Sequence, residues 1–122
     1  MINGEYEVTQ NRFGINGEKL AKKMLRKHFT MVRAHKLFTD PFDYTAIDRL
    51  TGERVAVEVK TIKRETGKLV HITTEAMERK LQYMNQTNRK GIVLVIIKNR
   101  ETKFYLARLQ NHISSGHLMA IN

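Results

Sequence analysis

Asp43-Tyr44-Thr45-Ala46-Ile47-Asp48, then Arg49-Leu50-Thr51-Gly52, then Glu53-Arg54-Val55-Ala56-Val57-Glu58-Val59-Lys60-Thr61-Ile62 is the stretch on which the fold turns. Two β-rich runs flank a four-residue turn with a late glycine, which reads as a hairpin. If Asp48 faces Glu53, then Ile47 faces Arg54 and Asp43 faces Glu58. Lys60 lies two residues past Glu58 and shares its face, while Val55, Val57 and Val59 point the other way. Two carboxylates and an ammonium therefore meet on one patch, backed by an apolar wall. Opposed side chains on one face sit about 5 Å apart, and like charges there are destabilising. A one-residue slip would carry every one of these groups to the opposite face.

Outward from the hairpin, Asn16 to Phe29 has helical spacing, with Leu20, Ala21, Met24, Leu25 and Phe29 on one stripe. Asn16 serves as N-cap there. Glu18 falls in the first turn on the rim of the stripe, facing inward. Thr30 to Lys36 reads as a short strand. After the hairpin, Lys68 to Ile72 is a further strand, and Thr73 or Thr74 caps a helix running to about Asn88. Met77, Leu81, Met84 and Asn88 line that helix, and Gly91 ends it. Ile92-Val93-Leu94-Val95-Ile96-Ile97 is a continuous apolar run of strand length, as in a strand buried on both faces. Lys103 to Ala107 returns as a strand, and Leu109 to Ser115 reads as a short helix. This order predicts an α/β domain with a sheet flanked by helices.

The chain has 122 residues with one proline, no low-complexity tract and no internal repeat, so residues 1–122 read as one domain. The absence of cysteine excludes a disulfide scaffold, cysteine zinc fingers and cysteine catalysis. The apolar run at 92–97 is far shorter than the ~20 residues of a membrane helix. The start, Met1-Ile2-Asn3-Gly4-Glu5-Tyr6, lacks a signal peptide's basic and apolar segments. The expectation is a cytoplasmic protein without membrane contact. The net charge of +10 reads as the electrostatic footprint of a nucleic-acid partner or, alternatively, as a solubility surface. Residues 31–60 carry balanced charges, so a basic protein keeps a locally acidic centre, which a bound cation would offset.

Two carboxylates at this spacing can hold a hard cation such as Mg²⁺ or Mn²⁺ through oxygen ligands, leaving room for water and a phosphate. The Val59 carbonyl between them is a further candidate ligand. Such a cation acts as a Lewis acid and lowers the pKa of its water. Lys60 could orient that water or stabilise the negative charge that develops. Glu18 could enter from the first helix. Lys63 and Arg64, just past the motif, either hold a phosphate backbone or form a solvated turn. On the second helix Arg79, Lys80 and Gln82 lie off the apolar line, as nucleic-acid contacts or as an ordinary wet face. The five histidines show no i, i+4 ligand pair, so histidine-based metal chemistry is disfavoured.

Pro41-Phe42-Asp43, a turn, and Val57-Glu58-Val59-Lys60 on an apolar strand together resemble the PD-(D/E)XK nuclease superfamily. The likeness runs from about Gly14 to Ile97, and Asn16-Gly17-Glu18 resembles that superfamily's frequent N-terminal glutamate. The resemblance implies a restriction-endonuclease-like core, α-β-β-β-α-β, with a mixed central sheet. It implies a metal-dependent endonuclease in which Asp43 and Glu58 bind the metal, Lys60 is the catalytic lysine and Glu18 supports. In size, basicity and layout the chain is similar to small archaeal and phage Holliday-junction resolvases, which implies branched DNA as substrate and a homodimer. Phe42 between the proline and the acid departs from the motif, and leaves Asp40 and Asp48 as rivals to Asp43. Other nuclease duties (nicking, duplex cutting, RNA cleavage) and a non-catalytic nucleic-acid-binding module also remain open.

Overall fold

A computed structural model of the chain describes residues 18–35, 40–62, 70–98, 101–113 and 117–121. A first helix, α1, covers residues 18–28. The strands are β1 (Phe29–Ala34), β2 (Tyr44–Asp48), β3 (Arg54–Ile62), β4 (Val70–His71), β5 (Lys90–Lys98), β6 (Thr102–Arg108), β7 (His112–Ile113) and β8 (Met119–Ile121). The second helix, α2, is Thr74–Thr87. Six strands form one sheet in the order β1-β2-β3-β5-β6-β8, and β4 pairs with β7 in a separate ladder. β3 and β5 are parallel and every other neighbouring pair is antiparallel, so the sheet is mixed. This is the α-β-β-β-α-β order, lengthened by β4, β6, β7 and β8.

The hairpin has the register its sequence dictates. Tyr44 pairs with Val57, Thr45 with Ala56, Ala46 with Val55 and Ile47 with Arg54. The turn is held by Asp48, whose Oδ1 accepts from Leu50 N at 2.8 Å and Thr51 N at 3.2 Å. Gly52 supplies the positive φ of 74° that a side chain would resist.

β5 lies at the centre, apolar at every position from 92 to 97, because helices cover both faces of a sheet with a parallel pair. Alternation along β3 and β5 splits the core in two. Val55, Val57, Leu94 and Ile96 pack with Ala21, Met24 and Leu25 of α1. Ala56, Ile62, Val93, Val95 and Ile97 pack with Phe42 and with Ala76, Met77, Tyr83 and Met84 of α2. Glu58 and Lys60 therefore lie on the α2 face. Among the described residues no helix is long and apolar enough to cross a membrane.

Several local expectations are corrected. The first helix gives way at residue 28, and Phe29 begins β1. α2 does begin at an N-cap, Thr73, whose side chain accepts from Ala76 N. It ends not at Gly91 but at Asn88, in the left-handed conformation, with its N–H donating to Met84 O. Leu81, expected on the buried line, is 48% exposed, and Lys80 takes the inward position. Of the helix expected over Leu109 to Ser115, residues 109–113 are described and hold β7 instead, where Ile113 buries against the α2-side core, while Ser114 and Ser115 lie outside the described residues. Two residues suffice there because Val70 and His71 supply the pairing partners. The proposed Asn16 cap, Lys63 and Arg64 lie outside the described residues.

Gly91 is needed for close approach, not for termination. A Cβ placed there would stand 2.8 Å from Met84 Sδ and 3.1 Å from Leu109 Cβ. Gly91→Ala should therefore destabilise the chain by about 1–3 kcal/mol, the usual range for overpacking. Urea unfolding checks this, with the slope unchanged if the effect is confined to the native core.

Candidate active site

The site is built where β2 ends and β3 continues. Asp43 N donates to Val57 O at 3.0 Å, and Asp43 O accepts from His35 N at 2.7 Å. With its backbone held on both sides, its carboxylate reaches across to β3, where Oδ2 accepts from Val59 N at 2.8 Å. In an extended strand the N–H and C=O of one residue point to the same side. The Val59 carbonyl therefore looks toward the same edge as Asp43. Glu58 lies opposite Asp43 across the hairpin, near enough for its negative charge to act on the Asp43 carboxyl.

Burial, then the negative charge of Glu58, pushes the Asp43 carboxyl up from 3.8 to about 7, against the opposing pull of the Val59 N–H and Lys60. Glu58 in turn is gripped by two ammonium groups. Lys60 Nζ lies 3.4 Å from Oε2 and Lys80 Nζ 3.4 Å from Oε1. The lysines differ in setting: the Lys60 side chain is 39% exposed, that of Lys80 8%, and that of Glu58 14%. Lys80 also donates to the Pro41 carbonyl and sits 5.0 Å over the Phe42 ring. Tyr83 packs against Phe42 at 5.6 Å, which closes the floor.

The rivals to Asp43 are otherwise occupied. Asp48 caps the hairpin turn, and Asp40 lies 3.9 Å from His35 Nδ1. Glu18 is exposed rather than turned inward, but it stands at the α1 end nearest the site. Tyr44 Oη donates to the Glu18 carbonyl at 3.4 Å. The Tyr44 phenol is raised to about 12, first by burial, then by the charges of Glu18 and Asp43. Arg79 and Gln82 are exposed on α2, and of the three helix residues only Lys80 enters the site.

Lys80 lies three residues after Met77 and four before Met84, and Leu81 fits the same stripe equally well, so spacing alone does not choose the inward residue. The histidines also hold a contact that local spacing misses. His71 and His112 meet across the β4–β7 ladder, with their Nδ1 atoms 3.4 Å apart.

A divalent cation fits the donor set. The two carboxylates are already forced together and need a positive charge between them, and every donor is a hard oxygen. Among the described residues no group of three His, Cys, Asp or Glu side chains converges. The protein's share would then be Asp43, Glu58 and the Val59 carbonyl. Mg²⁺ accepts such a partial set, keeping several waters and binding phosphate oxygens.

No protein-family model matches the chain, and no curated protein matches it. Among solved structures the chain is similar to Hjc, a Holliday junction resolvase from the archaeal hyperthermophile Archaeoglobus fulgidus. The TM-score is 0.53 at 13% identity, over 86% of this chain and 94% of that one. At that identity the likeness establishes the fold: a mixed α/β architecture around a central sheet, of the kind found in that nuclease.

Two outcomes follow from the charge arrangement. Between pH 4 and 7 the folded chain retains a proton on Asp43 that the unfolded chain releases, so metal-free stability falls as pH rises through this window. Asp43→Asn removes the titration. Its melting temperature minus that of wild type should grow from pH 4 to pH 7.5, each 1 kcal/mol appearing as about 4 °C. A difference independent of pH would contradict the raised pKa of Asp43. Lys80→Ala should cost about 1–3 kcal/mol, since it removes the buried ammonium from Glu58 and leaves only the half-exposed Lys60 on that carboxylate. Lys60→Ala, at a half-exposed pair, should cost about 0–1 kcal/mol. Urea denaturation of the two variants separates them.

Proposed function

We propose that the chain is a divalent-metal-dependent endonuclease that hydrolyses phosphodiester bonds in DNA, with branched DNA as its substrate. Residues 1–122 would act as one nuclease domain of the PD-(D/E)XK type, inside the cell, as a symmetric homodimer so that two strands are cut. The observation that carries this reading is the Asp43–Glu58 contact, with Lys60 on the outer oxygen of Glu58 and the Val59 N–H on Asp43. An isolated Glu-x-Lys pair on a strand is common and worth little. A second acid at hairpin register, half-buried and with its carboxyl pushed up to about 7 by burial and then by Glu58, is a costly arrangement that a structural role does not require. The likeness of the fold to a junction resolvase supports the choice of substrate.

Asp43, Glu58 and the Val59 carbonyl would hold Mg²⁺ or Mn²⁺. When bound, the metal supplies a Lewis acid and a water of lowered pKa. Lys60 keeps its ammonium on the open side of Glu58, where it can donate to the attacking water or to the charge developing on the phosphate. Lys80 is a positioning residue: it ties Glu58 to the Pro41 carbonyl, and so fixes the turn that delivers Asp43. Glu18 assists from the α1 end, as a carboxylate that orients water.

The test is cleavage of labelled four-way junction, linear duplex and single strand, with Mg²⁺, Mn²⁺ or EDTA. Metal-dependent cutting of the junction is expected, with the rate lowered about 100-fold or more in Lys60→Ala, the usual cost of losing one transition-state donor. Asp43→Asn and Glu58→Gln should lose cutting as well. Mg²⁺ should raise the wild-type melting temperature and leave that of Asp43→Asn unchanged, because a ligand stabilises only the state that binds it. DNA binding without cutting, equal in wild type and Lys60→Ala, would leave a basic binding module in place of an enzyme.

A further inference from the structure

The sheet face that carries Asp43 and Glu58 continues past the site. Thr45 and Ile47 follow Asp43 at alternate positions, and their partners on β3 are Ala56 and Arg54. α2 covers β3 and β5 on this face, and the β1–β2 part holds a groove of ≈ 380 Å³. Arg33, His35, Thr45, Ile47, Arg54 and Arg89 line it.

Arg33 owes its position to a defect in β1. Thr30 pairs with Ile47, but Arg33 pairs with Thr45, so β1 carries one extra residue between them. In regular alternation Arg33 would lie on the α1 face, and the bulge turns it to the groove. The bulge is made at Met31, a non-glycine residue with φ of 53°, whose side chain is 56% exposed on the groove wall. Such strain persists where the surrounding structure imposes it, and bulges that re-aim a side chain gather beside functional sites.

Arg89 is fixed from the other side, its Nη1 donating to Ala46 O at 3.2 Å and Val55 O at 3.1 Å. Among the described residues no carboxylate pairs with Arg33, Arg54 or Arg89. The guanidiniums feel one another instead. Burial, then Arg54 and later Arg33, lowers the Arg89 pKa. Three guanidiniums gathered with no carboxylate paired to them among the described residues, one placed by a bulge and one by backbone anchoring, form a place prepared for negative charge.

We propose that this groove binds the phosphodiester backbone of the DNA strand being cut, with Arg33, Arg54 and Arg89 holding phosphates several nucleotides from the scissile one. The proposal rests on the nuclease reading and adds the direction of the strand across the protein. From Asp43 to Ile47 is about 13 Å along β2, or roughly four nucleotides of duplex. A phosphate in the groove is thus distinct from the one at the acid pair. The contacts are to backbone, so they set position and affinity, not sequence.

The full chain is tested by fluorescence anisotropy on labelled four-way junction and duplex in Ca²⁺ buffer, across a salt series. Arg33→Gln/Arg54→Gln is compared with Lys23→Gln/Lys27→Gln, which removes the same charge from the exposed side of α1. Both substitute exposed side chains, and circular dichroism melts establish that both fold. The groove variant should bind at least about 10-fold more weakly than wild type and lower the salt slope by about 2, one for each lost phosphate contact. The control should change binding by less than about 3-fold. Equal effects of the two variants would overturn the groove, as would displacement of DNA by inorganic phosphate at equal phosphate concentration. The two readings fail separately. Groove-dependent binding without Mg²⁺-dependent cutting sinks the nuclease alone, and cutting that ignores the arginines sinks the groove alone.

Discussion

The hairpin register sets Asp43 against Glu58, and most of the site is a response to that single placement. Two carboxylates in contact in a half-buried position repel, and each loses hydration. The chain answers with an Asp43 carboxyl pushed up to about 7, an N–H from Val59, and two lysines on Glu58. One lysine comes from the same strand and stays near solvent. The other comes from α2 and is buried. That second lysine has a consequence for packing, because Lys80 faces inward where Leu81 would otherwise have gone. The orientation of α2 is therefore tied to the charge on β3, and not to hydrophobicity alone.

The sheet separates support from chemistry. On one face Val55 and Val57 pack against α1 without polar interruption. On the other, the Ala56, Glu58, Lys60 series has apolar neighbours at its ends and charges in its middle. Period-two alternation lets one strand do both. α1 contributes to the charged side only at its end, through Glu18 and Tyr44. The bulge at Met31 follows the same rule in reverse: one added residue moves Arg33 from the support face to the charged one.

What the sequence made legible was whatever depends on period and register. The Asp43–Glu58 opposition, the hairpin turn, the buried run at 92–97 and the order of the core elements all follow from alternation and turn chemistry. What it hid depends on contacts between distant segments. Leu81 and Lys80 are neighbours on a helix, and only the carboxylate on β3 decides which turns inward. The His71–His112 contact spans a long sequence separation across a two-residue ladder. The Arg33 groove rests on a bulge, and no glycine marks it: Met31 takes a left-handed conformation that its residue type disfavours. Gly91 was legible as a special position but for the wrong reason, since close packing and a helix stop both call for glycine.

The charges also explain why metal and DNA should act together under the proposed chemistry. With both acids ionised, Asp43, Glu58, Lys60 and Lys80 sum to zero, and the site has no net attraction for a phosphate. Below about pH 7 the metal-free chain favours a protonated Asp43 instead, which leaves a single positive charge. Exchange of that proton for a divalent cation makes the patch doubly positive where a phosphodiester would sit. Each ligand then improves the site for the other, and by linkage the gain must be mutual. The arginine groove stands outside this exchange, because its charges are fixed and face no acid among the described residues. On the proposed reading a strand would be held along β2 before the metal arrives. Under this proposal two halves of one sheet face divide affinity from chemistry: the hairpin register places the acid pair, and the β1 bulge places Arg33.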